Sequence, residues 1–375
     1  MFRKLLRIHL WIGMALAVPL VLVCITGALL VFGEELQAEV APDEWYADTT
    51  GVPLPFETLL DHFEEQLPGV PVNVIAVDQA QGHAWKIWLG NGEGVANVDP
   101  VSGTVLKHYQ HNTTLYGYVL QLHRWLLVPE GDARSWARNV MSVLASVFIL
   151  QSLMGFWMWM TPPRRIDRLK ISFRDSNRKI MSRLHSITAM AAAGVLILIA
   201  FTGIGFNWKN TVKGIVGFVT FSEVGEHEPL EAAGHEGIRN IDQAVKVALE
   251  EVGGGKLLSV NAPKSNSQPV NVRIQPEDAF NAEIVTLDPV TAEVLKVRRV
   301  EDLTAAESFL GISYQLHIGN FAGLLVRWLW LLISLMPVFF VYSGIWIYLK
   351  RTKSKRVRAK EQKKALQRVG VSGSV

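Results

Sequence analysis

The sequence predicts a membrane α-helical bundle: four transmembrane helices in two parallel repeats, carrying two small α+β domains on the side away from the cytoplasm. Three observations predict it. The 375 residues are 49% hydrophobic and only 19% charged, and the apolar residues gather into runs at 10–33, 139–160, 187–206 and 324–349. Each run reaches the roughly 20 residues that a bilayer crossing needs. Charge is segregated: 1–9, 161–183 and 350–375 hold 21 Lys/Arg against 3 Asp/Glu, whereas 34–135 and 209–326 hold 14 against 31. Basic flanks stay in the cytoplasm, so the termini and the short loop face inward and the long acidic pieces face outward. Finally, the chain repeats itself. "RIHLWIG" from Arg7 and "RLHSITA" from Arg183 each open an apolar run, and His9 to Gly27 and His185 to Gly203 both span 18 residues. Such self-similarity reveals architecture before any local pattern does.

In chain order, residues 1–9 form a cytoplasmic N-terminus and 10–33 the first transmembrane helix. "AEVA" after it mimics a signal-peptide cleavage site, but the apolar core is too long for a secretory leader and a later segment repeats it, so the helix reads as retained. Residues 34–115 form the first outer domain, where "PFETLLDHFEEQL" has helical spacing and "PVNVIAV" and "AWKIWLG" alternate as strands. "DPVSG" is a type I turn signal with Pro second. Residues 116–135 lead through "QLH" into the second span, 136–160. A basic loop, 161–183, joins it to the third span, 184–208. The second outer domain, 209–308, carries the helical "NIDQAVKVALEEV" and the strands "PVNVRIQ" and "AEIVTLD". Residues 309–323 lead through a second "QLH" into the fourth span, 324–349. The tail 350–375 reads as a topology anchor on anionic membrane lipids, with no nucleic-acid role. The repeat extends through the outer pieces: "VANVDPVSGTVLKHY" at 95–109 matches "IVTLDPVTAEVLKVR" at 284–298, and "GYVLQLHRWLL" matches "GISYQLHIGNF". The halves run in the same sense, as parallel repeats do. "EVGGGK" lacks the GKS/T ending of a phosphate loop and reads as a plain loop.

Four histidines recur in two matched pairs, His9 with His185 and His123 with His317. Ionisable residues in or near spans are costly and point to function. Eighteen residues at 100° each make five turns, so Gly27 shares a face with His9 about 27 Å away, and Gly203 with His185. That gives an inner layer at His9 and His185 and an outer layer at His123 and His317. In each, two imidazoles can face one another across a flat cofactor, with the glycines clearing space in the outer layer or serving close helix packing. Haem iron accepts two axial imidazoles without a covalent CxxCH attachment, and Cys24, the only cysteine, rules that attachment out. Arg7, Arg183 and Arg124 lie beside histidines and suit propionate carboxylates. Zinc would want three or four ligands with Cys or carboxylate help. Of the remaining histidines, His108 and His111 are close enough in sequence to be alternate outer ligands.

The His-led helix ending in "TG", the "DPV(S/T)..VL" hairpin, the "QLH" segment and the two-fold repetition resemble the PepSY-associated transmembrane family over nearly the whole chain. Within it the chain is most similar to inner-membrane siderophore reductases. The resemblance implies two periplasmic PepSY-like domains in a bacterial inner membrane, two b-type haems on His9, His185, His123 and His317, and reduction of ferric siderophore complexes in the periplasm. Some relatives add a flavin and nicotinamide module. No G-x-G-x-x-G follows a strand here, so the expected donor is a quinol or a separate cytoplasmic reductase. Two other functions fit the same architecture: a non-redox PepSY module that senses an envelope signal or restrains a peptidase, and an electron-transfer subunit serving another reductase.

Overall fold

The computed structural model describes residues 2–47, 51–78, 82–161, 169–172, 174–225 and 230–371, the side chains of 111 and 363–371 excepted. In chain order the elements are α1 (Phe2–Leu30), α2 (Gly33–Val40), α3 (Pro42–Trp45), α4 (Phe56–Gln66), β1 (Val72–Ala76), β2 (Trp85–Leu89), β3 (Val95–Val98), β4 (Val105–Tyr109), α5 (Leu115–Trp125), α6 (Asp132–Met160), α7 (Asn177–Gly205), α8 (Lys209–Thr220), α9 (Ile241–Val252), β5 (Lys256–Asn261), β6 (Val270–Gln275), β7 (Glu283–Leu287), β8 (Val294–Arg298), α10 (Ala305–Gly311), α11 (Ser313–Ile318) and α12 (Gly323–Val371). They fall into two compact units: a helical unit of 1–31, 135–207 and 322–375, and a sheet unit of 32–134 and 208–321. Much of the basic loop 161–183 lies outside the described residues.

In the helical unit, α1, α6, α7 and the first 40 residues of α12 are each long and apolar enough to cross a membrane. α1 and α7 both pack on α12. Ala192, Leu196 and Ile333 form a small core, with Phe148, Met336 and Phe340 against it. Van der Waals packing of this kind is one source of attraction between helices in lipid. Large apolar groups such as Trp11, Val18, Leu150 and Leu325 point outward, as lipid-facing surface requires. The fourth helix continues past its apolar run, through the basic tail, as one 49-residue element, about 74 Å long.

In the sheet unit, the strands of the two expected α+β domains share one antiparallel sheet of eight strands, ordered β4-β3-β2-β1-β5-β6-β7-β8. Each half forms its own meander, and the halves meet where β1 pairs with β5: Val74 with Asn261, Ile75 with Val260 and Ala76 with Ser259. Neighbouring strands in sequence pair readily across short turns. The β1–β5 join spans far more of the chain and leaves no local trace. α4 and α9 lie on the same face, and their Leu59, Phe63, Ala244, Val245 and Ala248 share one core with Ile75, Ile87, Val260, Val272, Ile274 and Leu287. Burying each of the larger side chains stabilises the fold by about 1.5–3 kcal/mol. The two "DP" turns are built alike. Asp99 Oδ1 accepts from Val101 N at 2.8 Å, and Asp288 Oδ1 from Val290 N at 2.9 Å. Gly103 and Ala292, each four residues on, both take a left-handed φ.

Candidate functional site

The two histidine pairs sit in different units and are described separately. In the helical unit, α1 carries His9 and α7 carries His185, each in the first third of its helix. Each is served by a polar residue of another span. Gln151 of α6 donates from Nε2 to the His9 carbonyl at 2.6 Å. Gly13 makes that approach possible, since a Cβ there would stand 3.1 Å from Gln151 Nε2. One turn along α6, Gly155 faces the His9 ring, and a Cβ on it would lie 3.4 Å from Cε1. His9 Nδ1 and Gln151 Oε1 are buried without hydrogen-bond partners, which is costly in an apolar surrounding.

His185 is held differently. Its Nδ1 lies 2.7 Å from the Oγ of Ser343, a fully buried residue of α12. Ser343 Oγ also donates to the Phe339 carbonyl at 2.7 Å. A hydroxyl has one proton and a carbonyl can only accept. With that proton on Phe339, Ser343 Oγ accepts from His185 Nδ1–H, which leaves Nε2 with its lone pair, the form in which imidazole binds a metal. Phe340 meets the ring in a T-shaped contact, with centroids 5.4 Å apart. Arg7 is exposed. Arg183 Nη1 donates to Asp175 Oδ2 at 2.7 Å and to the Lys170 carbonyl. The Asp175 carboxyl is held below its ordinary range by the hydrogen bond from Lys179, with the Lys179 and Arg183 charges adding to it. Gly27 and Gly203 follow Thr26 and Thr202, both buried. These donate back to Leu22 and Leu198 at 2.8 Å each, a bond that bends helices.

In the sheet unit, His123 and His317 come together with ring centroids 6.3 Å apart and planes tilted by 56°. Two imidazoles that ligate one metal ion from opposite sides, at about 2.0 Å each, hold their ring centres about 6 Å apart. Local sequence explains the placement. Thr114 caps α5 by accepting from Gly117 N at 3.0 Å, and the helix stops at Leu126, which takes a left-handed φ. α11 stops the same way at Gly319. Both histidines therefore ride the last turn of a short helix, where the carbonyl dipoles favour positive charge. Arg124 lies 4.7 Å over the Trp125 ring. Tyr116, two turns before His123, has its phenol pushed far up by burial, then by Tyr314, Glu34 and Tyr109, with Arg124 opposing. Of the alternate ligands, His108 bonds through Nε2 to the Glu93 carbonyl at 2.7 Å, and the His111 side chain lies outside the described residues. Among the described residues no three His, Cys, Asp or Glu gather as a zinc-type cage would need.

Sequence reasoning did not single out Gln151, Gly155 or Ser343. One signal was present: "GFW" at Gly155–Trp157 is echoed by "GIW" at Gly344–Trp346.

A family model described as the PepSY-associated TM region matches residues 6–351. No curated protein matches the chain.

Proposed function

We propose, from the premise that the chain belongs to the PepSY-associated TM family, that this multi-pass membrane protein is an electron conduit reducing ferric siderophore complexes. In this reading it lies in a bacterial inner membrane with both termini cytoplasmic and the sheet unit periplasmic, as the charge segregation supports. Two non-covalent b-type haems would be held by His9 with His185 and by His123 with His317, with Gly27 and Gly203 clearing space for the outer ring. The carrying observation is the juxtaposition of His123 and His317, two residues 194 apart in the chain, at a ring spacing of 6.3 Å.

Haem iron supplies reversible one-electron chemistry; the chain supplies position and tuning. Ser343 orients His185, and the uncompensated His9 Nδ1 gives the inner pair a polar atom in need of a partner. Arg7, Arg183 and Arg124 would hold propionate carboxylates. Arg183 can do so while keeping Asp175, because a guanidinium has five donors. One electron delivered to a chelated Fe(III) yields Fe(II), which hard oxygen ligands hold less strongly. Iron is thereby released. The electron comes from a quinol or a separate cytoplasmic reductase. Two layers are needed because the apolar core is about 30 Å thick.

The test is a reduced-minus-oxidised spectrum of the purified full chain, made with ample haem supply and then titrated with ferric siderophores. Sharp reduced bands that reoxidise on adding the chelate are expected. A colourless protein would overturn the reading and favour the non-redox PepSY module. Haem that no ferric chelate reoxidises would leave the electron-transfer subunit of another reductase.

A further inference from the structure

α8 is a twelve-residue helix with apolar surface on more than one side. Val212 and Val216, one turn apart, are buried, and the helix packs on α10. Past α8, Ser222 Oγ accepts from Ala306 N at 3.0 Å and the Glu223 carbonyl accepts from Thr304 Oγ1 at 2.9 Å, fastening the C-terminal end of α8 to the start of α10. The neighbouring arc of the helix carries Ile215, Phe218 and Val219 at the i, i+3, i+4 spacing of one face. It is left uncovered: Phe218 is 79% exposed, Val219 65%, and Phe221, just past the helix end, 92%. The Phe218 and Phe221 rings lie 6.4 Å apart. Phe221 takes the left-handed φ of 53° that closes α8, its N–H donating to the Gly217 carbonyl, as helix C-caps commonly do. Two neighbouring phenylalanines this exposed mark the arc as a surface that an apolar environment would cover.

The chain itself says what that environment is. The apolar helix α7 ends at Gly205, and α8 begins at Lys209. Four residue steps reach at most about 14 Å, so α8 starts close to the surface of the bilayer that α7 crosses. Trp208 stands at the junction, the residue type that settles at membrane interfaces. Lys213 lies about 140° round the helix from Phe218, so the charged and exposed apolar sides are separated as they are in helices that lie in an interface.

We propose that α8 lies along the bilayer surface, with Ile215, Phe218, Val219 and Phe221 immersed among the lipid headgroups and upper acyl chains. α8 then acts as a float for the sheet unit. The proposal does not depend on any cofactor.

Nitroxide labels placed one at a time at Phe218→Cys and Lys213→Cys test it, in the full chain carrying Cys24→Ala to remove its only thiol. Both positions are exposed, so labelling spares the packing. In vesicles of phosphatidylethanolamine and phosphatidylglycerol, the label at 218 should collide several-fold more with oxygen than with a water-soluble nickel chelate, relative to the label at 213. Equal nickel accessibility at both sites would put this face in water and overturn the proposal. Spin–spin broadening at 218 that vanishes on dilution with unlabelled protein would also overturn it, by assigning the face to a second copy of the chain.

Discussion

Replacing Asp242 by Ala removes a cap that no local sequence supplies. α4 begins after Pro55, which offers no side-chain acceptor. Its first two amides are instead taken by a residue 186 and 185 positions away: Asp242 Oδ1 accepts from Phe56 N at 2.7 Å and Oδ2 from Glu57 N at 3.1 Å. Glu57 returns the bond, its Oε1 accepting from Asp242 N at 3.1 Å. A lost cap typically costs about 1 kcal/mol, and bonds to charged groups run higher, at about 1.5–3 kcal/mol. Burial works against this gain, since it raises the Asp242 carboxyl above its ordinary value despite the bond from Phe56. We therefore expect Asp242→Ala to loosen the start of α4 by about 1–2 kcal/mol, or about 5- to 30-fold faster amide exchange at Phe56 and Glu57. Glu57→Ala, which removes a single bond, should cost about 0.5–1 kcal/mol, read at the Asp242 amide. The two changes share one network, so the double variant should fall short of the sum by about 0.5 kcal/mol or more. Hydrogen exchange read by mass spectrometry on the full chain in detergent is the assay. Unchanged exchange at Phe56 and Glu57 in Asp242→Ala, or strict additivity, would refute the reciprocal cap.

Ser343→Ala should leave the protein folded but free the His185 ring to change tautomer. Nitrogen-15 NMR of labelled histidine should then report a mixed tautomer at His185, where the native protein shows the Nδ1–H form; an unchanged spectrum contradicts the assignment. If the histidine pairs hold haem, His185→Ala should lower the haem content by about half and spare the outer pair, and loss of both haems from a folded protein would break the pairing. The "DP" turn has a definite acid response. Burial opposes the charge on Asp288, yet the N–H groups of Thr291 and Val290 and the Thr291 side chain hold its carboxyl below the ordinary 3.8. A lowered folded value means that this stabilisation is whole above the unfolded value and drains as pH falls through the folded one. Asp288→Asn should flatten the acid-induced rise in exchange at Val290 and Thr291, and an unaltered pH profile would exclude the carboxylate as its source. If the chain reduces ferric chelates through haem, the acidic sequence of 34–135 and 209–326 should also steer cationic and neutral chelates ahead of trianionic ones, an advantage that shrinks with salt. Faster haem reoxidation by the anionic complexes at low ionic strength would contradict this.

What could be read from the sequence followed the range of the interaction. The spans were legible because hydropathy is local, and so were α4, α9 and most strands, whose apolar spacing is set within a few residues. α8 was missed because Gly214 and Gly217 break the helical signal of "KNTVKGIVGFVT", and its burial on α10 is a tertiary fact. The single sheet was missed because β1–β5 pairing depends on contacts about 185 residues apart. At the candidate site, the repeat singled out His123 and His317 as a pair. It could not show that His185 leans on Ser343, because a lone Ser in an apolar run is indistinguishable from packing.

The seam between β1 and β5 bears on how such a chain could arise. Its register reads the same from either side: 74 meets 261, 75 meets 260 and 76 meets 259. Glu57 and Asp242, which cap one another's helices, stand at the same interval of 185 residues as Ile75 and Val260. This is the isologous geometry of a symmetric dimer, written within one polypeptide. Either half alone would end its sheet on an open edge, at β1 or at β5, and a second copy of a half-length chain could close it in the same register. Gene duplication and fusion would make that partnership permanent. Fusion would also free the halves to differ, as they do at the hairpin corner, where Gly103 holds the left-handed φ in one and Ala292 in the other.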